Sequence, residues 1–480
     1  MTLPKFETKL FLNNEYVDAK SGETLTVVNP HNNDVITDKI QVAGEADIDL
    51  AVDYAEAAFK EWRKVPSAQR SEPMKKFAQL LSSYSEDYSK LETASMGMPG
   101  MLGSMVGQLA VACFNYYAGW TDKIAGDTFP EEDGAYKIVR HEPLGVCAGI
   151  GAWNVPLMLF CYKVAPAVAA GNSIIFKTSE RAPLAVLQLG HLIKEAGFPP
   201  GLIQLVSGAG PTGGLLASHM RIRKISFTGS VATGKKVKEM ATKSNLKRVT
   251  LELGGKSPAL VFDDANFETA VAQCAQGVLI NSGEACVATS RTFVQESVAQ
   301  KFIAALKTAF ESTGSGMGSD PALPSTTFGP LVDQKHSDIV MSFIESGKKD
   351  AEILTGGSRK SNYVEPTIFL NPKEDSRIYR DEIFGPVMSI KTFKTEEEAI
   401  KLANDTSYGL FSAIFTTNLN RALRVSSAVE AGTVAVNSSF MPSLIAPFGG
   451  WKQSGYGREA GKDGMMSYLE TKTILINMNG

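Results

Sequence analysis

VCAGIGAW at 146–153, SIIFK at 173–177, LIQLV at 202–206, ISFT at 225–228 and RVTLEL at 248–253 are five short apolar runs within about a hundred residues. Each is of strand length, and the segments between them carry apolar residues at helical spacing. Strands alternating with helices imply an α/β fold built on a parallel, doubly wound sheet. Gly171 and Gly197 fall where two of the intervening helices should stop, the position at which a left-handed residue commonly ends a helix.

Outward from this block, Asn13 and Asn14 separate two short apolar runs and read as the turn of a hairpin. Amphipathic helices are expected at 46–62 and 73–96. After residue 253 a second alternation starts at 259–262 and continues through helical patterns at 267–279, 299–310 and 397–404, giving a second α/β domain. The stretches 127–138 and 465–478 are β-prone at their ends and are expected to pair as arms outside the two bodies. The division expected is therefore 1–124 with 143–252, then 253–456, and an arm from 125–142 and 457–480. No repeat or low-complexity tract interrupts this plan.

A chain of 480 residues exceeds what one hydrophobic core supports, so more than one domain is expected. The net charge of -3 gives no field that would gather nucleic acid or an anionic membrane. The most apolar stretch, 146–162, is broken by Asn154 and Pro156 and closed by Lys163, too short to span a bilayer. Five cysteines without a CxxC pair suit a reducing compartment, and no secretory pattern opens the chain, so a cytoplasmic location is expected. The five histidines (His31, His141, His191, His219, His336) lack metal-ligand spacing, so they read as structural and no metal is expected.

The chemistry concentrates at strand ends. Cys286, in NSGEACVATSR, lies between a helical pattern and a strand, where a loop can present a nucleophilic thiol to a cleft. Glu252 ends a strand just before Gly254 and Gly255, and ligands of open α/β sheets bind at that edge, so it reads as a general base. Asn154, beside Pro156 at the same edge, carries an amide able to donate to an oxyanion. FTGSVATG at 227–234 follows a strand and opens a helix, the context of a pyrophosphate site, although it lacks the full GxGxxG spacing. Lys177 and Glu180 end another strand, where a carboxylate accepts ribose hydroxyls and repels an additional phosphate.

Taken in order, GAWNVP (151–156), KTSE (177–180), FTGS (227–230), LELGGKSP (251–258), the GxxC ending at Cys286, EIFGPV (382–387) and PFGGWKQSGYGRE (447–459) resemble the aldehyde dehydrogenase superfamily over nearly the whole chain. The resemblance implies an NAD-binding first domain, a catalytic second domain and an oligomerisation arm. It implies an oxidation of aldehyde to carboxylic acid in which Cys286 attacks the aldehyde carbon, Asn154 and the Cys286 N–H hold the oxyanion, hydride passes to NAD, and Glu252 activates the water that hydrolyses the thioester. Trp153, Lys177, Ser179, Glu180, Gly229, Ser230, Glu382 and Phe384 are the implied cofactor residues, with Glu180 favouring NAD over NADP. A homodimer or homotetramer is implied, with a small-molecule aldehyde as substrate.

Some residues depart from the commonest pattern of the superfamily. Glu284 stands where Gln is frequent, Ala285 and Val287 flank the nucleophile, and all three are expected on the substrate side. Val155 replaces a frequent aromatic residue, so a wide tunnel formed by Val155, Leu159, Tyr162, Ala285, Val287 and Phe448 is expected to admit bulky or aromatic aldehydes. Two other readings use the same fold. A CoA-acylating enzyme would resolve the thioester with CoA and needs no water-activating base, and a non-catalytic structural protein needs none of the three residues.

Overall fold

The structure, a computed structural model, describes residues 2–439 and 441–479. The five apolar runs form the strands Val146–Ile150, Ser173–Lys177, Ile203–Val206, Lys224–Thr228 and Arg248–Glu252. All five are parallel, in the spatial order third, second, first, fourth, fifth. Their residues alternate between two cores: Cys147, Ile174 and Phe176 point to one face, and Val146, Ala148, Ile150 and Ile175 to the other. Helices Pro156–Ala169 and Leu184–Ala196 cover the first face, together with Ser67–Met96 and Gly100–Ala118. Glu45–Trp62, Gly210–Ser218 and Val231–Ser244 cover the second. Burial on both faces is why these strands read as continuous apolar runs.

Val146–Ile150 and Lys224–Thr228 are neighbours, yet the helices that follow them pack on opposite faces. The chain therefore leaves the sheet in opposite directions there and opens a crevice at the strands' carboxyl ends. The first run is shorter than the sequence suggests. Its strand stops at Ile150, because the backbone turns through 151–155 before Pro156 starts a helix with no lost donor.

Elements at both edges of this sheet and one more helix complete the first body. Leu10–Leu12 and Glu15–Val17 form the hairpin around Asn13 and Asn14 and add two antiparallel strands to one edge of the sheet. At the other edge Gly455–Tyr456 pairs antiparallel with Leu251 and Glu252. Residues 455–456 thus join the first sheet, although the sequence reading places them in the second domain; two residues lack the length to show a strand period. Helix Gly100–Ala118 is also absent from the sequence reading, since its apolar residues are spread around much of the helix.

The second sheet has seven strands, in the order Glu352–Thr355, Thr367–Leu370, Val387–Phe393, Arg291–Gln295, Pro258–Val261, Phe411–Phe415 and Thr433–Val436. All but the first pair are parallel. Helices Phe267–Leu279 and Glu296–Ser315 pack on one face and Glu396–Asn404 on the other. The stretches expected as arms form a separate three-stranded antiparallel sheet, Asp127–Glu132, Ala135–Pro143 and Leu469–Asn477, with the last pairing along its full length with the second.

Gly171 and Gly197 take φ of +94° and +90°, as their positions suggest. A Cβ on Gly197 would meet nothing within 4 Å, so the cost of Gly197→Ala is the backbone alone. That substitution is expected to destabilise by about 1 kcal/mol, measured as a small fall in the thermal midpoint with activity retained.

Candidate active site

A cavity of about 1080 Å³ occupies the crevice and continues between the two domains. The first domain meets it with the carboxyl ends of its strands. The second meets it with the loops that precede its own strands, at 253–257, 284–290 and 382–386. Asn154, Glu252 and Cys286, far apart in the chain, all line this space.

Asn154 sits in the turn after Ile150 and is buried. Its Nδ2 donates to the Glu284 carbonyl at 3.1 Å, and its own carbonyl accepts from Asn281 Nδ2 at 3.1 Å. The amide is thereby fixed to the loop that carries Cys286 and keeps a second N–H. Cys286 is half-buried and follows a kinked turn in which Asn281 and Ser282 both have positive φ. Burial pushes its thiol up to about 12, aided by the negative charges of Glu382 and Glu252, while the N–H groups of Cys286 and Val287 oppose the shift. Those same amides point a donor pair at the sulfur's surroundings.

Glu252 ends its strand with only 4% of its surface exposed, and neither carboxyl oxygen has a hydrogen-bond partner among the described residues. Burial, and then the charge of Glu459, hold its pKa well above the usual carboxylate range, while Lys163 and Arg458 oppose the rise. Glu459 is itself buried against Lys163 Nζ at 2.5 Å and accepts from Ser226 Oγ at 3.0 Å. Lys163 also donates to Thr228 Oγ1 at 2.7 Å. Sequence reasoning missed this buried pair, whose members are 296 residues apart. Only the closing Glu of the 447–459 motif pointed to it.

The dinucleotide expected from the sequence meets a fitting donor set. Trp153, Lys177, Ser179, Glu180, Gly229, Ser230, Glu382 and Phe384 all line the cavity. Lys177 is buried, its ammonium pushed down by desolvation, and lies 3.7 Å from Glu180, which is partly exposed. Ser230 caps helix Val231–Ser244 by accepting from the Thr233 N–H, so the positive end of that helix faces the cavity. Glu382 accepts from the Gly255 N–H at 3.0 Å, and burial pushes its carboxyl up to about 7. Phe384 holds a positive φ of 59° and packs edge-on against Trp153, with ring centroids 5.5 Å apart.

The tunnel residues divide. Val155 and Leu159 line the large cavity, whereas Tyr162, Ala285, Val287 and Phe448 lie outside its lining. Val287 packs against the second-domain core, and Phe448 exchanges two backbone hydrogen bonds with Glu459. Tyr162 is half-buried beside the first-domain core.

Two sequence expectations change. Glu284, expected on the substrate side, is buried under Trp153, because the kinked 281–283 turn aims its side chain between the domains. His336, read with the other histidines as structural, lines the cavity and donates through Nε2 to the Phe384 carbonyl at 2.7 Å.

The aldehyde dehydrogenase family model matches residues 16–474. Human retinal dehydrogenase 2 is 43% identical over 480 residues, covering 98% of this chain and 92% of that protein. An aldehyde dehydrogenase of Emericella nidulans is 44% identical over 471 residues, covering 97% and 94%. Among solved structures, the indole-3-acetaldehyde dehydrogenase of P. syringae in complex with NAD+ superposes with a TM-score of 0.96 at 37% identity, covering 99% of this chain and 97% of that one. The betaine aldehyde dehydrogenase of Staphylococcus aureus, also in complex with NAD+, gives 0.96 at 34% identity, covering 99% and 96%. With the family model matched over nearly the whole chain and relatives 43% and 44% identical, this chain belongs to the aldehyde dehydrogenase family, NAD-dependent oxidoreductases that act on aldehydes.

Proposed function

We propose that this enzyme oxidises its aldehyde to the carboxylic acid through a covalent adduct on Cys286. The observation that carries this reading is that Cys286, Asn154 and Glu252 line one cavity together with the proposed NAD-binding residues. Cys286 Sγ attacks the aldehyde carbon, and the negative charge that develops on oxygen is held by the Asn154 amide and the Cys286 N–H. Removing one donor of this kind costs roughly 3–4 kcal/mol of transition-state stabilisation. NAD, when bound, would supply the hydride acceptor for this oxidation. Lys177, Ser179 and Glu180 would hold its adenine ribose, Gly229 and Ser230 its pyrophosphate, and Glu382 and Phe384 its nicotinamide ribose, with Trp153 lining the cleft. Glu180, placed to accept ribose hydroxyls, disfavours the extra phosphate of NADP.

The thioester left on Cys286 is then hydrolysed. Glu252 removes a proton from the attacking water, for which a carboxylate of raised basicity with unpartnered oxygens is suited. The same feature speaks against the CoA-acylating reading, in which no water is activated.

The substrate is a bulky or aromatic aldehyde. Val155, in place of a larger ring, widens the cavity wall beside Leu159, and two of the similar proteins are named for retinal and indole-3-acetaldehyde. We further place the protein in the cytoplasm, where its five free cysteines stay reduced. It assembles as a homodimer or homotetramer through the three-stranded arm, which leaves Phe129, Leu475 and Ile476 exposed, Leu475 by 68%.

Following NADH by absorbance over an aldehyde panel should show turnover by the wild type, with aromatic aldehydes preferred to acetaldehyde, and none by Cys286→Ala. A silent wild type would overturn the assignment. Glu252→Gln should release about one equivalent of NADH per site and then stall, because acylation survives and hydrolysis does not.

The pH dependence follows from Glu459. Its negative charge raises Glu252, so Glu459→Gln lowers the Glu252 pKa, and the Lys163 charge it frees acts in the same direction. The base is then ionised at lower pH, and the acid limb of kcat should move to lower pH. Val155→Trp should depress kcat/KM for an aromatic aldehyde by about tenfold relative to acetaldehyde.

A further inference from the structure

Glu284 is 1% exposed and sits where the two domains meet. All of its short contacts fall on one oxygen. Oε1 accepts from Trp153 Nε1 at 3.4 Å and from the Val332 N–H at 3.0 Å, and lies 3.7 Å from His336 Nε2. Oε2 is buried and has no hydrogen-bond partner among the described residues. The Glu284 carbonyl accepts the Asn154 amide, and Cys286 is two residues on.

His336 Nε2 donates to the carbonyl of Phe384, a residue with a strained left-handed backbone. Trp153 is enclosed on three sides: by the Arg181 guanidinium 4.3 Å from its ring centre, and by the rings of His336 and Phe384 at 5.6 and 5.5 Å. Glu284 thus touches Trp153 and the Asn154 amide directly, and it reaches Phe384 only through His336, 3.7 Å away.

We propose that Glu284 is a positioning residue that holds Trp153 and leaves the His336 N–H to Phe384, so that the cofactor wall keeps its shape only while the Glu284 carboxyl carries its proton. This rests on the catalytic reading above. Ionised, Oε1 competes with the Phe384 carbonyl for the His336 N–H, and the hold on Phe384 weakens.

Burial pushes the Glu284 carboxyl up to about 8. The Val332 N–H, Trp153 and the Arg181 charge oppose that rise, and Asp333 adds to it. Arg181 and Asp333 are themselves ion-paired at 3.3 Å. Burial holds the His336 pKa down, so the ring is neutral and keeps a single N–H to share. The group is therefore protonated at neutral pH, and its effect is lost as pH rises through about 8. Gln supplies the same acceptor without titrating.

The direct test is the fluorescence of Trp153 in the protein without cofactor, isolated as the difference between wild type and Trp153→Phe. A transition near pH 8 is expected in wild type and absent in Glu284→Gln; the same transition in both would overturn the proposal. Kinetics give a second arm. Glu284→Leu should raise KM for NAD and lower kcat/KM by about tenfold, the worth of a lost buried hydrogen bond, with most of the loss restored by Glu284→Gln. The ratio of Glu284→Gln to wild-type kcat/KM should climb between pH 7 and 9, a comparison that cancels limbs belonging to Cys286, Glu252 and Glu382. A flat ratio in active enzymes refutes the positioning role alone. An inert wild type refutes the catalytic reading, while the fluorescence arm still decides the role of Glu284 in the wall.

Discussion

The structure depends on one short crossing of the chain between domains. Glu252 is the last residue of a strand in the first sheet and Pro258 the first of a strand in the second, so five residues carry the backbone from one body to the other. The passage is tight. A Cβ on Gly254 would fall 2.0 Å from Glu382 Oε2, and one on Gly255 would fall 2.3 Å from the Cys286 carbonyl oxygen. With hydrogen in place of a side chain at both positions, the Cys286 loop and the Glu382 loop close directly onto the crossing. Glu252, Cys286 and Glu382 are thereby held against one piece of backbone. Strand Gly455–Tyr456 pairs with Leu251 and Glu252 on the other side and fixes the carboxylate's end of the crossing.

Closing the domains on this crossing strips water from ionisable groups. Glu252, Glu284, Glu382 and Cys286 are all displaced toward their neutral forms, and burial is the largest cause for each. Buried Lys256, beside Glu382, is likewise displaced toward its neutral form, its pKa lowered to about 7. Glu284, Glu382 and Lys256 are thereby poised near neutral pH, as groups at sites of chemistry often are, whereas Cys286 moves away from it. Lys163 and Glu459 keep an ion pair inside the protein by sharing it with Thr228 and Ser226. Hydrogen bonds to both partners are the condition under which a buried pair is tolerated.

Much of this was legible in the sequence, for a physical reason. The five parallel strands are buried on both faces, so their apolar runs mark them whatever their neighbours do, and Gly171 and Gly197 mark helix ends through backbone conformation alone. Asn154, Glu252 and Cys286 were legible because strand ends and loops are where an α/β sheet presents polar groups. Helix Gly100–Ala118 was hidden by its diffuse apolar pattern, and Gly455–Tyr456 by its length. His336 carried no local signal: its role comes from the carbonyl of Phe384, 48 residues away.

By itself the sequence determined the α/β class, the strands of the first sheet and the helix stops, and it singled out Cys286, Asn154 and Glu252 as candidates, because these follow from local periodicity, backbone preference and side-chain chemistry. Only the tertiary structure decided which charges face one another. Glu459 comes to Lys163 across 296 residues, and Glu284 turns from the expected substrate side to a place under Trp153. Both outcomes depend on desolvation and on distances between residues remote in the chain, and neither quantity exists until the two domains have closed.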